Sequence, residues 1–420
     1  MPSAPTAFPS DAIARAARAE LAPDLARMRR ERRARLQAEM AHAGLDALLL
    51  LGRANAVYAA GVAVDGADAS FGHHFPAIAV VPAASLPHLF TATPHGAAPA
   101  TPPPPDLPPD HVHRAIAPES EGAARALVDR IREVLGGTTV ARLGVDQLTM
   151  PLHALLPGSG LAREIADATP ATVAARVIKT ADEVACLRRA QATNDRAMED
   201  VLPLARPGAS QSALSARFLS RVVELGADAS LVDPIWDVVP RFSRERAPTA
   251  FGRLFFPRPS AARRLAEGDV VWVDTGIACD GYVSDFGRTW VVGRAPSARE
   301  RDQWRRWCAV RDAVIAATRP GATAAGLTRA ARAADGGGTP WLEHLYLAHG
   351  IGLDSAEMPL VGSDLGESFD EAVVLAEGMT IVLEPVIWDD GHAGHRAEEM
   401  LVVTRDGCEQ LTHHGYAPFE

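Results

Sequence analysis

The sequence predicts an α/β domain over residues 1–172, followed by an α+β domain over residues 176–420 with pseudo-twofold symmetry and a curved, mainly antiparallel sheet. Three observations predict it. Strand-like and helix-like runs alternate over residues 1–170. Two hairpin-like segments follow, Gly268–Gly293 and Glu377–Thr404. The helix leading to RPGAS (Arg206–Ser210) resembles the helix leading to RPGAT (Arg319–Thr323), and each precedes an Ala-rich stretch. These two helix–RPG–helix units lie on either side of the first hairpin, an arrangement that puts helices around a sheet with a site between the halves.

Composition narrows the class of protein. A chain of 420 residues exceeds what one hydrophobic core usually serves. The apolar content of 47% is that of a globular protein, and no apolar run reaches membrane-spanning length. The start, MPSAPTAFPS, has neither the basic segment nor the apolar core of a secretory signal. Cys186, Cys279, Cys308 and Cys408 are scattered without metal-type spacing, so a reduced, cytoplasmic protein is expected. A net charge of −10 argues against general nucleic-acid binding.

In chain order, residues 11–43 read as helix interrupted at Pro23 and stopped by Gly44. Arg27, Arg29, Arg30, Arg32, Arg33 and Arg35 make it basic, with Glu31 and Glu39 interleaved, which reads as a solvated face. Leu45–Gly52, Ala77–Val81 and Ala141–Val145 have buried-strand length. Thr101–Pro109 is a Pro-rich connector, and Gly122–Leu135 a helix ending at two glycines. The second domain opens at Arg176. Thr180 and Glu183 have the spacing of a capping box, and Val184, Leu187 and Ala190 recur at helical period.

The first hairpin turns at Asp280-Gly281, a pair suited to a type I′ turn because both central positions need φ > 0. That turn pairs Cys279 with Tyr282 and Gly276 with Asp285. Asp274 then shares a face with Asp285, the two being diagonal neighbours roughly 7–8 Å apart at the backbone. Carboxylates in an apolar hairpin are costly unless paired, bound to a cation or turned to water at a sheet edge. In the second hairpin, a turn centred on Gly391 pairs Asp389 with Ala393 and sets Glu384 opposite Glu398. Opposed like charges call for a cation between them, or for Arg396, which shares the Glu398 face. Parity sends His395 and Glu399 to the other face. With His349 in AHGIGLDSAEMP (Ala348–Pro359), these residues make a set of four carboxylates and one imidazole. Such an oxygen-rich set suits Mn²⁺, Fe²⁺, Co²⁺ or Zn²⁺.

The motifs RVIKTADEVACLRRA, GDVVWVDTG, SDFGRTWVVG, AHGIGL, EGMTIVLEP and HRAEEMLVVT span residues 176–404. Together they resemble the pita-bread metallopeptidase family, which includes methionine aminopeptidase, aminopeptidase P, prolidase and creatinase. Arg33–Gly52 is similar to the small α/β domain of the aminopeptidase P, prolidase and creatinase branch. The resemblance implies that Asp274, Asp285, His349, Glu384 and Glu398 ligate two divalent ions, Mn²⁺ first among them. It also implies Glu384 as the proton-shuttling catalytic carboxylate, Arg396 behind Glu398 or on a substrate carboxylate, and a homodimer.

The chain also departs from that pattern. Where the family's peptidases carry a histidine ahead of the hairpin, this chain has Leu254–Asp269 with none. Ala356 and Leu345 replace two further histidines, His344 is offset by one, and Gly287 stands where threonine is usual. The expected function is therefore a metal-dependent hydrolase resembling Xaa-Pro aminopeptidase or dipeptidase, with an altered small-molecule or short-peptide substrate. Glu357, Tyr346 and Asp354 are candidates for the acid that replaces the lost imidazoles. The alternatives are a lyase of the dimethylsulfoniopropionate type, which also lacks those histidines, a small-amide hydrolase, and a non-catalytic binding module.

Overall fold

The computed structural model describes residues 22–61, 76–92, 107–245 and 258–420. The expected helix over residues 11–21, the connector at 101–106 and the stretch at 254–257 lie outside the described residues. The chain forms two compact units, one of them Asp24–Arg176 and the other containing Val177–Glu420.

In the first unit, helix α1 (Leu25–His42) is capped by the Asp24 carboxylate, which accepts the Arg27 N–H at 2.9 Å. Its basic face is not wholly solvated as expected. Arg32 is buried and donates to the Val57 and Tyr58 carbonyls at 2.6 and 2.8 Å, with its guanidinium over the Tyr58 ring. Both carbonyls belong to the last turn of helix α2 (Arg53–Ala60), where Val57 O already accepts the Gly61 N–H at 2.8 Å and takes Arg32 as a second donor. Strand β1 (Ala47–Leu50) is buried throughout, as its unbroken apolar run requires. It pairs antiparallel with β2 (Ile78–Pro82) and parallel with β5 (Val140–Val145). With β3 (His88–Thr91), β4 (Val112–Arg114) and β6 (Ala162–Asp167) the mixed sheet runs β4-β3-β2-β1-β5-β6. Helix α3 (Glu121–Val134) sets Leu127 and Ile131 into its core.

The second unit opens with helix α4 (Ala181–Val201), where Thr180 and Glu183 close a reciprocal capping box. Helix α5 (Gln211–Glu224) and strand β7 (Ala229–Val238) follow, then β8 (Val270–Cys279), β9 (Tyr282–Val283) and β10 (Phe286–Val291). Strand β8 is central and pairs antiparallel with β7, β9 and β10. The other half repeats the plan with helices α6 (Ala298–Ala317) and α7 (Ala324–Ala334). Its sheet runs β12-β11-β13-β16-β17: Glu357–Val361, Ala348–Gly350, Thr380–Leu383, Glu399–Thr404 and Gly407–Gln410. A two-stranded ribbon of β14 (Val386–Trp388) and β15 (Gly394–Arg396) extends it.

The faint RPG repeat is a structural repeat. Gly208 and Gly321 both have positive φ, 88° and 84°, and donate to the Leu265 and Leu375 carbonyls at 2.7 and 2.8 Å. Ser210 and Thr323, two residues later, cap α5 and α7 and bridge to Arg264 and Val374. Each half has its own core: Phe218, Trp236, Val271 and Phe286 in one, Trp307, Leu327, Leu383 and Leu401 in the other. Burying each such side chain contributes about 1.5–3 kcal/mol. Among the described residues no helix is long and apolar enough to cross a membrane.

Candidate metal centre

The Asp280-Gly281 turn has φ of 53° and 80°, so it is built as the dipeptide requires, and Cys279 faces Tyr282. The same register continues through Phe286 opposite Thr275. Between those ladders Ser284 and Asp285 leave strand geometry, so Gly276 and Asp285 are opposed without being a ladder pair. The break frees the Asp285 side chain to converge on Asp274. Both are buried, at 9% and 7% exposure, which removes the reading in which they face water at an edge. Asp274, Asp285 and Glu398 present ligand atoms all within 4.8 Å of one another.

The second hairpin behaves alike. Asp389 N–H reaches Ala393 O at 3.4 Å, Val386 faces Arg396, and Leu383 faces Glu399. One register on both sides of a short gap sets Glu384 opposite Glu398, and the gap lets both carboxylates turn inward. His395 and Glu399 face away, as parity requires: His395 packs against Trp307 and Phe419, and Glu399 accepts from Tyr416 and Gln410.

His349 completes the group. Its Nδ1 must donate to the Gly350 carbonyl at 2.9 Å, since a carbonyl only accepts, and this turns Nε2 toward the carboxylates. That Nε2 lies 3.4 Å from Asp285 Oδ2 and 3.6 Å from Glu384 Oε1. Arg396 reaches Asp274 Oδ2 at 3.0 Å and Glu384 Oε2 at 2.8 Å, and it pairs also with Glu398 Oε1. Four buried carboxylates thus face one guanidinium and one imidazole. Burial, and then Asp274, push the Asp285 carboxyl well above its usual range, and burial does the same to Glu398 despite Arg396. Among the described residues no hydrogen-bond donor reaches Glu398 Oε2. A buried acceptor with no donor, in a set of hard oxygen ligands short of positive charge, fits a divalent cation.

Helix α4 braces the centre, which sequence reasoning missed. Asn194 donates to Thr275 O and Ser284 Oγ, both at 3.0 Å, and accepts from Thr275 Oγ1. The Asp285 N–H reaches Gln191 Oε1 at 3.2 Å, and Gln191 donates to Asp195 at 2.9 Å. A signal was present: Gln191, Asn194 and Asp195 are polar residues at i, i+3 and i+4 on a helix whose neighbours Ala190, Ala197 and Met198 are apolar.

The departures from the family pattern have separate fates. A Cβ at Gly287 would lie 2.6 Å from the Glu398 carboxyl carbon, so Glu398 fills the place of the missing side chain. Ala356 is exposed in the turn after His349. Glu357 is held by Lys179 at 2.6 Å, which commits it to a structural ion pair. Asp354 is exposed. Tyr346 lies beside the centre, with its ring centroid 4.8 Å from that of His349. Burial, Glu384 and Asp285 push its hydroxyl above the usual tyrosine range, so it stays protonated.

Comparison with known proteins agrees with this geometry. Residues 185–405 match metallopeptidase family M24, and residues 32–178 match the creatinase/prolidase N-terminal domain. An Xaa-Pro dipeptidase of Lactobacillus delbrueckii subsp. lactis is 29% identical over 62% of this chain and 66% of its own length. A probable dipeptidase, PepE, of Mycobacterium tuberculosis is 30% identical over 66% of this chain and 69% of its own. The prolidase structure from Pyrococcus horikoshii shares the fold, with a TM-score of 0.70, 21% identity, and coverage of 92% of this chain and 99% of that one. The two matched domains, the pseudo-twofold architecture and the buried carboxylate cluster together place this chain in metallopeptidase family M24, as a two-domain, metal-dependent hydrolase of the pita-bread fold.

Proposed function

We propose that Asp274, Asp285, His349, Glu384 and Glu398 hold two divalent ions, Mn²⁺ first among them, and that the enzyme hydrolyses short peptides of the Xaa-Pro kind with an altered preference. The observation that carries this is the charge count: of four buried carboxylates three pair with the one guanidinium of Arg396, Asp285 faces only His349, and Glu398 Oε2 meets no donor among the described residues. The names of the relatives, Xaa-Pro dipeptidase among them, support the substrate class. Bound there, the ions supply a Lewis acid for the substrate carbonyl and acidify the attacking water.

The chain's own residues do the rest. Glu384, steered by Arg396 at 2.8 Å and by His349, takes the proton of the attacking water and passes it to the leaving nitrogen. Arg396 fixes the directions of Asp274, Glu384 and Glu398. Tyr346, neutral and adjacent, donates a hydrogen bond to the carbonyl oxygen as negative charge develops on it, the task of a lost histidine. Ala356 offers no such bond, so standard Xaa-Pro dipeptides turn over slowly. By its resemblance to the prolidase branch, the protein is a homodimer.

Protein purified without chelator and reloaded with Mn²⁺ is to be analysed for metal, then assayed on Xaa-Pro dipeptides and longer Xaa-Pro peptides. About two ions per chain and proline-dependent cleavage are expected. No bound metal, or cleavage indifferent to proline, overturns the reading. Ala356→His should raise dipeptide turnover, and light scattering should give the mass of a dimer.

A further inference from the structure

Arg288 is almost wholly buried, and nothing in its charge requires that. Its guanidinium donates to four carbonyls. Nη1 reaches Gly287 O at 2.8 Å and Glu398 O at 2.7 Å, Nη2 reaches His414 O at 2.7 Å, and Nε reaches Gly415 O at 3.2 Å. Nη2 also lies 3.3 Å from Glu399 Oε1. The plane lies over the Phe286 ring at 5.2 Å and the Tyr416 ring at 4.7 Å. Two of the carbonyls lie on the strands that carry the acidic centre, at Glu398 itself and two residues after Asp285. The other two lie in the carboxy-terminal tail.

The tail makes a second, independent connection to the same two strands. His413 N–H donates to Asp195 at 2.7 Å, and through Gln191 that carboxylate holds the Asp285 N–H. Tyr416 donates to Glu399 at 2.5 Å, and Leu411 N–H to Met400 O at 2.7 Å. One end of the tail's contact therefore reaches Asp285 through Asp195 and Gln191 of helix α4, and the other falls on Glu399, next to Glu398.

We infer that Arg288 and the tail segment Thr412–Tyr416 are one positioning device for the metal centre: a guanidinium wedge that fixes the separation of the Asp285 and Glu398 strands, held in place by the tail. The two strands meet at a gap in their ladders, where a backbone bond from Glu398 N–H to Gly287 O at 3.0 Å joins them. A planar fork with five donors spans four acceptors at fixed angles, and a lysine ammonium does not. The inference rests on the proposed metal centre and adds to it a residue and a segment that touch no ligand atom.

The test is Mn²⁺ binding to metal-free full-length protein, by calorimetry and by the Mn²⁺ EPR spectrum, in wild type, Arg288→Lys, Tyr416→Ala and the double variant. Arg288→Lys should weaken binding roughly 10- to 100-fold, the range for residues that orient metal ligands. Tyr416→Ala should weaken it in the same sense, and the double variant should lose little beyond Arg288→Lys, because members of one unit are not additive. The EPR line shape of the variants should change, which lower stability alone does not produce. Affinity and spectrum equal to wild type in Arg288→Lys overturn the inference. If that variant does not fold, Tyr416→Ala decides by the same readouts. A wild type that binds no Mn²⁺ overturns the metal reading instead, so the two failures are distinct.

Discussion

Arg396 is the residue on which the metal-free centre depends. It is buried among Asp274, Glu384 and Glu398, and those carboxylates drive its own ionisation well above the usual arginine range against the cost of burial. Removing one partner of a buried ion pair leaves charge uncompensated, at a cost of about 3–5 kcal/mol. Arg396→Leu should therefore lower the melting temperature of metal-free protein sharply, and Mn²⁺ should recover part of the loss. Equal melting of variant and wild type without metal would show that the carboxylates are already neutralised by protons. Glu384→Gln keeps the shape and removes the base, so turnover should fall roughly 10²- to 10⁴-fold. Tyr346→Phe removes one hydrogen bond to the developing oxyanion. It should lower kcat with KM little changed, because the bond strengthens only as charge develops.

At the scale of elements, the site is two hairpins that each lose ladder geometry where an acid must turn inward. Their registers are legible in the amino-acid order. Asp280-Gly281 admits one turn type, and from it Cys279 and Tyr282, then Asp274 and Asp285, follow by counting. The opposition of Glu384 and Glu398 follows in the same way from Gly391. The two gaps are not legible, because a strand pattern says nothing of where a ladder opens for a ligand. Nor is Arg288, whose acceptors lie up to 127 residues away. Arg32 escapes for the same reason: a run of arginines looks solvated until the carbonyls of a distant helix end are seen beside one of them. Gly287 joins both hairpins and gives a sharp test. Any Cβ there meets the Glu398 carboxylate at 2.6–2.9 Å, so Glu398 must move. Gly287→Ala should weaken Mn²⁺ binding measured by calorimetry while the far-ultraviolet circular dichroism is retained. Unchanged affinity would mean that Glu398 has a second, equally good position.

For the whole molecule, buried titratable groups of opposite sign set stability against pH. Burial, with Arg288 nearby, lowers the His395 pKa to about 3, and neither ring nitrogen has a partner among the described residues. The unfolded chain protonates that ring near pH 6.5, so between there and pH 3 it binds more protons than the fold does. His395 therefore contributes stability above pH 6.5 that is lost as pH falls, at about 1.4 kcal/mol per pH unit. Asp285 and Glu398 act in the opposite direction. Their folded values are raised, so in metal-free protein their contribution is present below the unfolded carboxylate range, near pH 4, and is lost as pH rises through the folded values. A cation must displace the protons these two carboxyls retain, and it binds more tightly once they are gone. The rise in melting temperature on adding Mn²⁺ should therefore grow as pH is raised above the ordinary carboxylate range, near pH 4, while His395→Leu should flatten the acid side of the curve with or without metal. Differential scanning calorimetry of both proteins from about pH 4 upward measures both effects. A metal-induced rise that is constant with pH would show that Asp285 and Glu398 are fully ionised in the metal-free fold.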